Sequence, residues 1–188
     1  MKALAFAVLF AVCSALQAQD LSRPIVLAAT PALQDPFYAG SVVIVAPLGG
    51  DQHIGFIINK ATDLPLGKAF PDGGPAQSVQ QPVYIGGPFQ PQLIFALVQR
   101  TNSPDGKSLR LMPGVYACVE AETVEGIMKG DPAQARFVAG LVTWQEGELA
   151  AEIRARAWYV LPPDEHLLET PANQLWETLV HRATREVI

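Results

Sequence analysis

The side chains that could carry chemistry in this chain are scattered, and none of the familiar catalytic groupings is complete. Three histidines stand at His53, His166 and His181. None is spaced to share a metal ion with a second histidine or with Cys118, so no metal site is expected. His181 falls near the end of the last helical stretch, where a cation complements the helix dipole. Ser41 follows Gly40 but lacks the Gly-x-Ser-x-Gly elbow, and it opens a strand instead of a strand-to-helix turn. Gly86-Gly87-Pro88 has no Lys-Ser/Thr after it, and Pro88 removes an amide donor that a phosphate cradle needs; a tight turn is the better reading. Glu148 and Glu152 share a helix face and could form an acid/base pair. Arg156, one turn beyond Glu152, favours an exposed ion pair on a solvated face. Asp35 precedes Pro36 in a stretch with little to bury, where a turn-forming role competes with a functional one.

Charge and composition narrow the classes. The chain has 13 basic and 18 acidic residues, a net charge of -5, and no run of Lys or Arg. Nucleic-acid affinity rests on clustered cations that displace phosphate counterions, so no nucleic-acid partner is expected. Met1-Lys2, the apolar run Ala3 to Val12 and the small-residue exit Ser14-Ala15-Leu16-Gln17-Ala18 read as an export leader over 1–18, cut between Ala15 and Ala18. The apolar run is too short to span a bilayer, and no later stretch is long enough. The expected location is periplasmic or secreted. About 170 residues then remain, one domain over 19–188. A chain of that size buries roughly two-thirds of its unfolded surface and needs no metal, cofactor or disulfide to hold a core. Cys13 leaves with the leader, so Cys118 has no intramolecular partner for a bridge; its apolar strand predicts a buried, inert thiol.

The elements that must position these groups can be followed along the chain. Val26 to Ala29 suits a first strand. Ser41 to Ala46 and His53 to Ile58, joined by Gly49-Gly50-Asp51, predict a hairpin. Leu64 to Phe70 holds a single helical turn, and Pro71 to Gln81 is expected to be a mobile loop. Strands follow at Val83 to Ile85, Leu93 to Gln99, Leu109 to Leu111 and Val115 to Val119, with a turn at Ser103-Pro104-Asp105-Gly106. Thr123 should cap a short helix that exits in left-handed conformation at Gly130. Phe137 to Trp144 mixes strand and helix signals. Glu148 to Arg156 reads as helix and Ala157 to Leu161 as strand. Thr170-Pro171 opens a last helix to about Ala183, which buries Leu175, Trp176, Leu179 and Val180. Trp144, Trp158 and Trp176 should join helices to sheet. Strands gather early and helices late, the distribution of an α+β fold.

The order of several short motifs resembles the AlgH/YqgE family. Ala29-Thr30-Pro31-Ala32-Leu33-Gln34-Asp35-Pro36-Phe37 with Ser41-Val42-Val43 is similar to its opening. Gly55-Phe56-Ile57-Ile58-Asn59-Lys60 and Val83-Tyr84-Ile85-Gly86-Gly87-Pro88 are similar to its second and third blocks. Gly140-Leu141-Val142-Thr143-Trp144, Gly147, Leu149, Glu152-Ile153 and Ala157-Trp158 make the fourth. The resemblance implies an α+β fold with coiled, branched, mostly antiparallel sheets flanked by helices. It supplies no agreed catalytic set; some members carry a transcriptional-regulator label. The chain departs from the pattern in its export leader and at Gly40, where a basic residue is common.

Two functions compete at this level. One is a non-catalytic module for a small ligand or protein partner, with Thr30, Asp35, Asn59, Lys60, Gly86 and Gly87 at strand exits as its ligand-binding candidates. The other is an enzyme with an acid/base site drawn from Asp35, His53 or Lys60. A third reading keeps the regulator label for a chain that stays in the cytoplasm.

Overall fold

A computed structural model describes residues 20–70, 79–104 and 108–185. The leader, Pro71–Ser78 of the expected mobile loop, and Asp105-Gly106 of the expected turn lie outside the described residues. β1 (Ile25–Ala29), β2 (Val42–Gly49) and β3 (Gln52–Ile57) come first, β2 and β3 forming the expected hairpin. Its turn, Gly49-Gly50-Asp51, carries three consecutive positive φ angles, which two glycines make affordable. β4 (Ala61–Pro65), unforeseen from the sequence, leads into the single turn α1 (Leu66–Ala69). β5 (Pro82–Ile85), β6 (Phe89–Gln99), β7 (Ser108–Met112) and β8 (Val115–Cys118) follow. The second half contains α2 (Ala121–Lys129), β9 (Ala135–Trp144), α3 (Glu148–Arg154), β10 (Trp158–Leu161) and α4 (Ala172–Arg185).

Among the described residues, ten strands form one sheet with a main path β10-β1-β2-β3-β9-β6-β8-β7, and β5 with β4 branches from β9. Pairing is antiparallel except between β5 and β9. The sheet coils far enough for β7 to approach β2. The α+β class and the branched sheet match the expectation.

β9 is the joint of the sheet. Its first half pairs with β6 and β5, its end with β3. Alternation aims Val138 into the core that α4 covers and Phe137 into the core that α2 covers. Past Gly140 the parity changes: Leu141 joins the α4 core, while Val142 and Trp144 join a third core that holds Leu149 of α3. Gly140 sits at φ +74, and a Cβ there would lie 2.3 Å from the Gly87 carbonyl oxygen. One extra residue in an unusual conformation therefore lets a single strand serve three cores.

The tryptophans join helices to sheet as expected: Trp144 and Trp158 are buried, and half-buried Trp176 packs on the α4 core. Cys118 is buried in β8.

Several local expectations are corrected. Helix α2 starts at Ala121 with Glu120 in the cap position, because Val124 N already donates to the Glu120 carbonyl at 2.9 Å; Thr123 lies inside the first turn. Gly130 ends it at φ -85, not in left-handed conformation. α3 stops at Arg154, leaving Arg156 beyond the helix at φ +60, out of register for an ion pair with Glu152. Phe137 to Trp144 resolves as strand because its two faces meet different cores. Val79 and Gln81 are held in place at the end of the expected loop: Val79 is buried, and their carbonyls accept from Gly67 and Leu66. α4 runs two residues past Ala183 and buries Leu175 and Leu179, with Trp176 and Val180 half-covered.

Candidate functional site

The row of β9 side chains on the α4 side reads Arg136, Val138, Leu141. A cation thus stands at the end of an apolar row, where alternation points it inward. Its guanidinium is partly buried and surrounded by neutral acceptors. Nη1 donates to the Ile58 carbonyl at 2.8 Å, and Nη2 to the Leu168 and Thr170 carbonyls at 3.0 and 3.3 Å. The carbon of the guanidinium lies 5.2 Å from the centroid of the Tyr84 ring, within cation–π range. Burial lowers its pKa from the ordinary value, against a smaller opposing effect of Tyr84. Arginine titrates so high that the group stays charged in a protein. Among the described residues, no carboxylate is within ion-pair distance of it.

Arg136 and Tyr84 line a cleft of about 340 Å³ with Gln81, Gln99, Gln134 and Glu169. Its walls come from distant parts of the chain. Tyr84 is opposite Val138 across the parallel β5–β9 pair, one alternation step from Arg136. Gln99 ends β6, two residues beyond Leu97, the cross-strand partner of Arg136. Glu169 sits on the 162–171 connection, which Arg136 grips on either side of it through Leu168 and Thr170. Gln81 Nε2 donates to the Pro132 carbonyl at 2.7 Å. Glu169 Oε1 accepts from Gln99 Nε2 at 2.9 Å and faces His166 Nδ1 at 3.2 Å. The hydrogen bond from His166 holds the Glu169 carboxyl below its usual pKa, and the same contact raises His166.

Four of the expected ligand-binding residues meet around one loop. Thr30 Oγ1 donates to the Arg156 carbonyl at 2.8 Å, fixing the loop's start. Asp35 Oδ1 accepts from the amides of Phe37 and Tyr38 at 2.8 and 3.0 Å, the hydrogen bonds of an Asx turn. Asn59 behaves like a short piece of strand: Oδ1 accepts from Val42 N at 2.7 Å, and Nδ2 donates to the Gly40 carbonyl at 2.8 Å. Lys60 Nζ donates to the Phe37 carbonyl; desolvation lowers its pKa, partly offset by Asp35. Gly86 and Gly87 lie elsewhere, pressed on the β9 backbone. A Cβ on Gly86 would come within 2.2 Å of the Gly140 oxygen, and one on Gly87 within 2.0 Å of the Leu141 carbonyl carbon.

The strip 57–60 ties these places together. Ile57 N donates to the Gly86 carbonyl at 2.8 Å, the Ile58 carbonyl receives Arg136, and the Lys60 carbonyl receives Ile85 N at 2.8 Å. His53 stands apart from the cleft. It is buried beside Asp51 in another cavity of about 430 Å³, with Nε2 2.9 Å from the Leu21 carbonyl. Among the described residues no group of His, Cys, Asp and Glu is placed to hold a metal ion.

A family model described as DUF179, AlgH-like, matches residues 26–187. The chain belongs to this family. A relative from Thermobifida fusca, a UPF0301 protein, is 30% identical over 172 residues, covering 86% of each chain. The UPF0301 protein YqgE of Escherichia fergusonii is 31% identical over 160 residues, covering 80% of this chain and 85% of the relative. The solution structure of AlgH from Pseudomonas aeruginosa superposes with a TM-score of 0.70 at 24% identity, over 89% of each chain. The crystal structure of DIP2367 from Corynebacterium diphtheriae gives 0.68 at 23% identity, over 86% of each chain. These two show that the AlgH-like fold is shared.

The sequence pointed to Tyr84's neighbours but missed Arg136, Gln99 and Glu169. The available signal was slight: a single basic residue directly before Phe137-Val138, at a position whose alternation faces the same way as Val138. In this AlgH-like chain Gly40, in place of a basic residue, gives the loop a carbonyl for Asn59 at φ +70.

Proposed function

We propose that this AlgH-like chain is a binding module and not a catalyst, and that its ligand occupies the cleft floored by Arg136. The observation that carries the reading is a partly buried guanidinium held by three neutral carbonyls, its charge uncompensated by any described carboxylate. A desolvated cation is costly unless something of opposite charge balances it. The cleft is at the small end of the roughly 300–1,000 Å³ range of small-ligand pockets. Thr30, Asn59, Lys60 and Gly86 support this site from behind, through the loop and strip that hold the Ile58 carbonyl on Arg136. The acid/base alternative has less support: Asp35 is spent on its own turn, Lys60 on Phe37, and His53 faces Leu21 outside the cleft.

Equilibrating the purified protein with the small-molecule fraction of a cell extract, then washing and releasing what is retained, tests the reading by mass spectrometry. A compound kept by the native protein, released unchanged and lost in Arg136→Gln, is the expected result. A compound that returns chemically altered would turn the chain into an enzyme, and failure to retain any would remove the small-ligand reading.

Export is part of the proposal. The leader over 1–18 is removed and the mature chain begins near Gln19, in the periplasm or beyond. No helix among the described residues is long and apolar enough to cross a membrane. Intact Met1 recovered by N-terminal sequencing of cytoplasmic protein would refute export.

A further inference from the structure

The Arg136 cleft contains both signs of charge, and they do not meet. Arg136 reaches the carbonyls before and after Glu169, yet the Glu169 carboxylate turns to Gln99 and His166. Three of the five N–H groups of Arg136 are engaged, so two remain to donate. In the same lining, Gln99 must present its NH₂ to the Glu169 carboxylate, since the opposite flip would set two acceptors face to face. That choice leaves Gln99 Oε1 as a buried acceptor with no hydrogen-bond donor among the described residues. Buried polar atoms are nearly always satisfied, and an orphan of this kind marks a place where something else donates.

A donor wanted at Gln99 and Glu169, and an acceptor wanted at Arg136, describe a single small molecule with an ammonium at one end and a carboxylate at the other. A phosphate dianion fits less well, because it would satisfy Arg136 while standing against Glu169. Taking the cleft as the ligand site, we infer that it binds a free α-amino acid as a zwitterion, its carboxylate on Arg136 and its ammonium between Gln99 Oε1 and Glu169. The ring of Tyr84, 5.2 Å from the guanidinium carbon and within cation–π range, helps to hold the cation at the cleft. The modest volume of the cleft sets an upper bound on the side chain.

The test is calorimetric titration of the full chain with the free proteinogenic L-amino acids, then with the N-acetyl and amide derivatives of the tightest binder, and with inorganic phosphate. Saturable binding of at least one free amino acid is expected, with each derivative and phosphate at least tenfold weaker. Glu169→Gln, on the exposed rim, should weaken the free amino acid several-fold and leave its N-acetyl derivative unchanged. Arg136→Lys, checked for folding by circular dichroism, should weaken the amino acid and its N-acetyl derivative alike. If phosphate or the N-acetyl derivative binds as tightly as the free amino acid, the zwitterion inference fails while the binding-module reading stands. No binding by any free amino acid also overturns the inference; the reading falls with it only if the extract yields no retained compound either.

Discussion

Glu152 shows how far a residue's role can depart from its position on a helical wheel. Instead of pairing with Arg156, its Oε2 accepts from the indole nitrogens of Trp144 and Trp158 at 3.0 and 2.7 Å. One oxygen thus satisfies two large aromatic side chains at the edge of the α3 core. Removing it strands two donors, and each buried, unsatisfied donor costs about 1–3 kcal/mol. Glu152 is only half-buried, so water recovers part of that loss. Glu152→Ala should therefore lower the free energy of unfolding by about 2 kcal/mol in urea titrations, whereas Glu152→Gln, which keeps an acceptor oxygen, should lose less than half as much. Equal losses in the two variants would show that packing, not hydrogen bonding, sets the cost.

Among the elements, the crossing of the 86–87 turn over β9 tolerates least change. The two backbones are so close that a methyl group on Gly87 would overlap the Leu141 peptide. Gly87→Ala should destabilise by more than about 4 kcal/mol, in the rare range reserved for severe strain. Gly126, exposed within α2 with nothing near its missing Cβ, is the opposite case. There Gly126→Ala should stabilise by about 0.5–1 kcal/mol through helix propensity alone. Thermal melts of the two variants would separate a steric role from a merely flexible one. α4 supplies a third comparison. Trp176 packs on the α4 core and donates its indole N–H to the Ala29 carbonyl at 2.8 Å. Its half-burial puts Trp176→Ala near about 3 kcal/mol, the low end for a core aromatic. A loss below about 1 kcal/mol would mean that α4 contributes little to the fold.

At the scale of the whole molecule, the charge of -5 and the lack of any basic run bear on the regulator label that attaches to some members of the family. In α4, the helix best placed to act as a reader, Glu177 accompanies Arg182 and Arg185, and Arg182 is already engaged with Asp164 at 3.1 Å. The protein should bind duplex DNA no more tightly than about 10⁻⁴ M at physiological salt. A salt series checks this: a true binder loses affinity with a slope near -0.9 per neutralised phosphate. Micromolar binding with a steep slope would restore the regulator reading and undercut export.

The sequence by itself determined the class of fold, the hairpin, most strands, the last helix and the family, because these rest on local alternation, turn chemistry and motif order. It also placed Trp144 and Trp158 in the core, since apolar patterning and burial go together. It did not reveal that β9 changes parity at Gly140, because a single residue in an unusual conformation leaves no periodic trace. Nor could it show that Gly86 and Gly87 lie against a strand more than fifty residues away, where backbone contact decides the residue type. The cleft was decided by tertiary structure alone. Arg136, Tyr84, Gln99 and Glu169 come from two neighbouring strands, a parallel branch and a connecting segment, and only the coiling of the sheet brings a cation and a carboxylate that do not pair with each other to the lining of one small space.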